Sequence, residues 1–126
     1  MQVLLIDDHP IIRLALGRLI AHRWPSAQVL EADTVAGGLR LLECITPIAV
    51  VWNLSLPATM RREGIQRIRD GASGVPMLVL GGTRDECSDA DLQCRGLTAV
   101  VLDDTGTHQV LAALSSIIDN CGPEEA

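Results

Sequence analysis

Five short apolar runs recur along the chain, each of strand length, with helix-patterned segments between them. They are QVLLI (Gln2–Ile6), AQVLEA (Ala27–Ala32), IAVVWN (Ile48–Asn53), PMLVL (Pro76–Leu80) and TAVVL (Thr98–Leu102). A continuous apolar run marks a strand buried on both faces, which requires a sheet covered by helices on both sides. Between the first two runs, Pro10 opens IIRLALGRLIAHRW, where Ile12, Leu16, Leu19 and Ile20 recur with helical spacing. Proline suits a first helical turn because it has no N–H to leave unpaired. Thr34 reads as the cap of a second helix over Val35–Cys44. A third helix falls within Arg61–Asp70, and DECSDADLQCR reads as a polar fourth. The last helix, THQVLAALSSIID, carries a stripe of Val110, Leu111, Leu114, Ile117 and Ile118. Strand–helix alternation of this kind predicts an α/β fold with an open, doubly wound, five-stranded parallel sheet. Gly122 and Pro123 read as a helix stop, so one domain is expected over residues 1–121, with a tail or the start of a linker at 122–126.

Such sheets bind ligands beyond the carboxyl ends of their strands, where strand order reverses. For the order 2-1-3-4-5 that place lies between the first and third strands. The first strand delivers Asp7 and Asp8 there, and the third delivers Asn53. The fourth brings Gly81, Gly82 and Thr83, and the fifth Asp103 and Asp104. The expected pocket is acidic, with one amide and no positive partner. All ten basic residues are Arg, so no lysine exists to supply one.

Composition narrows the function further. The chain carries a net charge of −6, a poor basis for direct nucleic-acid binding. It has no Phe and no Tyr, so its core is expected to be aliphatic. No apolar run approaches membrane-spanning length, and MQVLLIDDHP lacks the basic start of a signal peptide. The four cysteines, Cys44, Cys87, Cys94 and Cys121, then read as reduced thiols of a cytoplasmic protein.

Four segments in order resemble the receiver domain of two-component response regulators, over nearly the whole chain. VLLIDDHPIIRLAL is similar to the opening of receivers of the NarL/FixJ group, where DDHP begins the first helix. VVWNLSLP matches the segment that carries the phospho-accepting Asp, VPMLVLGG the strand that ends in Ser or Thr, and GLTAVVLDD the segment that ends in Lys. The resemblance implies a flavodoxin-like (βα)5 fold with strand order 2-1-3-4-5. It also implies a chemistry in which a carboxylate accepts a phosphoryl group from a kinase histidine. Mg²⁺ and a lysine neutralise that charge, and a hydroxyl and an aromatic side chain report it.

Carried over by position, most of that apparatus is absent. The acidic pair stands as Asp7 and Asp8, but the acceptor position is Asn53. The hydroxyl position is Gly81, the lysine position is Asp103 and the switch aromatic is Val100. The reading is a degenerate receiver that is not phosphorylated and not an enzyme. It acts through protein contacts, as a homodimer or as the regulatory part of a transcription factor whose output domain meets DNA. Self-association is expected through the first and last helices, or through the face formed by the fourth helix, fifth strand and last helix.

Plainer readings stand beside each residue. Asp7 and Asp8 are either helix-start acids or the remnant of a weak Mg²⁺ site. Asn53 hydrogen-bonds neighbouring backbone and holds the pocket shut. Asp103 is a solvated loop acid, or a third carboxylate facing the first two. Gly81–Gly82 is a tight turn, and His9 a surface residue near the helix start. The rival function is a small-molecule or metal sensor that uses the vacated acidic pocket. A phosphohydrolase is disfavoured because Asn53 is not a nucleophile.

Overall fold

A computed structural model describes residues 1–82, 99–102 and 107–125, with side chains placed through most of the first segment and from Gln109 to Asp119. The strands are β1 (Gln2–Asp7), β2 (Gln28–Ala32), β3 (Ala49–Asn53), β4 (Met77–Gly82) and β5 (Ala99–Leu102). They form one parallel sheet in the order β2-β1-β3-β4-β5. The helices are α1 (Pro10–Arg23), α2 (Val35–Leu42), α3 (Ala58–Gly71) and a C-terminal α4 (Thr107–Glu125). The polar helix expected within DECSDADLQCR lies outside the described residues.

Alternate residues of each strand feed two cores, because side chains alternate across a strand. Val3, Leu5, Val51 and Leu78 pack with Leu16, Ile20 and Trp24 of the α1 segment and with Leu114, Ile117 and Ile118 of α4. Leu4, Ile6, Val50, Trp52 and Val79 pack on the other face with Ile65 and Ile68 of α3. Trp52, wholly buried, gives this second core an aromatic centre where only aliphatics were expected. It fits because α3 has a glycine above it: a Cβ on Gly64 would lie 2.7 Å from Trp52 Cη2.

Helix boundaries follow local chemistry. Thr34 caps α2 as expected, its hydroxyl accepting from Gly37 N at 2.9 Å. α3 starts earlier than expected. Pro57 has the extended backbone of a residue just outside a helix, and its carbonyl accepts from Arg61 N at 2.8 Å. α4 runs past the expected stop to Glu125. Pro123 there costs a terminal hydrogen bond, while its fixed φ remains compatible with helix. On α1, Leu16 and Ile20 are buried, whereas Ile11, Ile12 and Leu14 face out, Ile11 with 83% of its surface exposed.

Candidate functional site

The parallel register of β1 and β3 sets Asp7 beside Asn53 at the carboxyl end of the sheet. Asp7 is fully buried although it is a carboxylate. A buried carboxylate must have its oxygens satisfied, and here both are. Asn53 Nδ2 donates to Asp7 Oδ2 at 3.0 Å. The His9 backbone N–H donates to Asp7 Oδ1 at 2.8 Å, and His9 Nδ1 stands 3.2 Å from the same oxygen. Arg13 Nη1 donates to the Asp7 carbonyl at 3.0 Å while its Nε meets Glu31 at 3.1 Å.

Asp8 points the other way, toward the loop after β3. Its two oxygens accept from Ser55 N at 3.4 and 3.2 Å, and His9 Nδ1 lies 2.9 Å from its Oδ1. The far side of the imidazole, Nε2, meets Ser55 Oγ at 3.1 Å. His9 thus joins both aspartates to the β3–α3 loop. Above β4, Arg61 Nη2 from the first turn of α3 donates to the Leu80 carbonyl at 3.1 Å, one residue before Gly81.

The structure places Asp7, Asp8 and Asn53 together at the carboxyl end of the sheet, with Asn53 donating to the Asp7 carboxylate rather than to neighbouring backbone. Two guanidinium groups reach backbone carbonyls near the strand ends: Arg61 that of Leu80 in β4, and Arg13 that of Asp7 in β1. His9 is a partly exposed residue at the start of α1, as read from the sequence, and its ring also folds back onto the two carboxylates. Gly81 lies within β4, beside a register irregularity between Leu80 and Gly82, and so belongs to a strand rather than a tight turn. Val100 lies in β5, opposite Val79. Asp103 lies outside the described residues. Ser55 and Arg61 were not singled out from the sequence, and His9 was not placed in the site. The available signals were the contiguity of DDH and the place of Ser55 two residues after Asn53.

Among the described residues, the ligand atoms of Asp7, Asp8 and His9 approach within 4.8 Å of one another and could hold a cation. Mg²⁺ requires near-octahedral oxygen ligation. Here Asn53 turns an N–H, not an oxygen, toward Asp7, and both Asp7 oxygens are already engaged. These residues do not fit a Mg²⁺ site.

No protein-family model matches the chain. The nitrate/nitrite response regulator NarL of Escherichia coli K12 is 27% identical over 112 residues, which cover 89% of this chain and 52% of NarL. The Bordetella pertussis transcription regulator of virulence factors, BvgA, is 28% identical over 119 residues, covering 93% of this chain and 56% of BvgA. The chain thus spans about half the length of the curated relatives it matches. A two-component response regulator of the LuxR family from Aurantimonas sp. SI85-9A1 superposes with a TM-score of 0.77 at 26% identity, over 94% of this chain and 85% of that one. NarL and the Aurantimonas protein are both response regulators, the latter two-component, and a receiver domain protein (CheY-like) from Methanospirillum hungatei JF-1 shares the fold with a TM-score of 0.77 at 16% identity, over 98% of this chain and 97% of that one.

Proposed function

We propose that this receiver domain has left the phosphoryl cycle and signals through protein contacts alone. The observation that carries the reading is the 3.0 Å bond from Asn53 Nδ2 to Asp7 Oδ2. Position 53 thereby offers a neutral donor in place of a nucleophilic carboxylate, and the buried acid is satisfied without a cation. The four-part loss at Asn53, Gly81, Val100 and Asp103 supports the same conclusion, because each position serves a different step of the phosphoryl chemistry.

The partner is a second copy of this chain, and α1 supplies the contact. The Val110, Leu114 and Ile117 stripe of the C-terminal helix is committed to the core, whereas Ile11, Ile12 and Leu14 are exposed. Contact with DNA belongs to an output domain and not to this acidic one. The setting is the cytoplasm; among the described residues no helix is long and apolar enough to cross a membrane. The test is sedimentation velocity with and without beryllofluoride and Mg²⁺, which mimic the phosphoryl group. An association state that depends on concentration but not on beryllofluoride supports the proposal; a shift driven by beryllofluoride refutes it.

A second reading, a metal-responsive module, draws on the Asp7, Asp8 and His9 cluster. One imidazole and two carboxylates suit Mn²⁺ or Zn²⁺ better than Mg²⁺. A melting temperature raised by either ion, and lost in Asp8→Ala, would favour it.

A further inference from the structure

We propose that Ser55 is a nucleophile activated by His9, and that it accepts an acyl group from a neutral activated ester. His9 Nδ1 faces only carboxylate oxygens, Asp8 Oδ1 at 2.9 Å and Asp7 Oδ1 at 3.2 Å. Ionised carboxylates accept hydrogen bonds and donate none. In the neutral ring the proton therefore sits on Nδ1, which leaves a lone pair on Nε2. That lone pair faces Ser55 Oγ at 3.1 Å, so the hydroxyl donates to the imidazole. A hydroxyl on a base that is itself oriented by a carboxylate is the arrangement that activates serine nucleophiles.

Three features make the arrangement usable. Ser55 is exposed, so an electrophile can reach Oγ. Its backbone is fixed, because Ser55 N donates to both Asp8 oxygens. The orienting Asp7 is held in turn by Asn53 and the His9 N–H. The electrophile is neutral because two carboxylates beside the hydroxyl repel an anionic donor. Exposed Ile11 and Met60, in the first turns of α1 and α3, offer apolar surface at this same edge of the sheet for the ester's substituents.

The step balances within these groups. Ser55 Oγ attacks the carbonyl carbon as its proton passes to His9 Nε2. The bond to the leaving alcohol breaks with its electron pair, and the alcohol departs with the proton from His9. The product is an ester on Ser55 and a free alcohol. This site does not rest on the phosphorylation reading. An acyl and a phosphoryl adduct differ in mass, so the two claims fail separately.

The test treats the full chain with p-nitrophenyl acetate after its thiols are blocked, then locates the acetyl group by peptide mass. The sequence has no lysine, so no side-chain amine competes. Acetylation of Ser55 is expected, absent in Ser55→Ala and unchanged in Ser73→Ala. His9→Ala should slow it about 100-fold, the usual scale of general-base assistance, and added imidazole should restore it. As a positioning residue, Asp8 should be replaceable by Glu but not by Asn. Acetylation of Ser55 no faster than that of Ser73 would overturn the proposal. So would a His9→Ala protein that labels at the native rate, or one that imidazole fails to rescue.

Discussion

Asn53→Asp removes the donor that satisfies Asp7 and puts a like charge in its place. The atoms concerned are 3.0 Å apart, and Asp7 is fully buried. Two unit charges at that distance repel by about 5 kcal/mol at an effective dielectric near 20. Losing a hydrogen bond to a charged acceptor adds about 1.5–3 kcal/mol. The half-buried position of Asn53 lets the new side chain turn partly to solvent, so a net loss of about 4 kcal/mol is expected near neutral pH. The loss depends on pH in a fixed direction. Repulsion raises the folded-state pKa of the new carboxyl above its unfolded value of about 4. Below the unfolded pKa the carboxyl is protonated in both states, and the charge penalty vanishes. Stability then falls as pH rises from there toward the raised folded pKa. Urea unfolding, followed by the fluorescence of the two buried tryptophans, Trp24 and Trp52, measures the difference from the native protein at acidic and at neutral pH. Millimolar Mg²⁺ should recover part of the loss in the variant, where a third carboxylate now faces the ion, and leave the native protein unchanged. A variant as stable as the native protein at neutral pH without divalent cations would refute the reasoning.

Further outcomes follow from the same contacts. Gly64→Ala forces a Cβ to within 2.7 Å of Trp52 Cη2 and should cost about 1–3 kcal/mol in urea unfolding. Trp52→Phe in the same chain should relieve much of that strain, so the two changes should prove non-additive. Titrating the native protein with Mg²⁺ while following tryptophan fluorescence should show no saturation below about 1 mM, and Asp8→Ala should behave alike. Ile11→Asp with Leu14→Asp should abolish self-association in analytical ultracentrifugation while leaving the melting temperature within a few degrees, since both side chains are exposed.

The parts of this molecule legible in the sequence are those whose physics is local or periodic. Leu4, Leu5 and Ile6 read as strand because only a sheet covered on both faces accepts such a run. Once that sheet was inferred, its strand order alone set Asn53 beside Asp7. What stayed hidden depends on side-chain direction and reach. Apolar residues surround much of α1, so spacing did not reveal that Leu16 and Ile20 are buried while Ile11 and Leu14 are exposed. Arg61 acts on Leu80, a strand away, through a contact that no sequence spacing encodes. The ring of His9 meets Ser55 only because two loops from distant parts of the chain converge at one end of the sheet.

The central claim, that phosphorylation has been abandoned at position 53, is tested most directly by intact mass. The native protein is incubated with acetyl phosphate and Mg²⁺, beside Asn53→Asp alone and Asn53→Asp with Asp103→Lys and Gly81→Thr. No phosphoryl adduct is expected on the native protein, at most a short-lived one on the single variant, and a durable one on the triple variant. A phosphoryl adduct on the native chain, or a stable one on Asn53→Asp alone, would contradict the central claim.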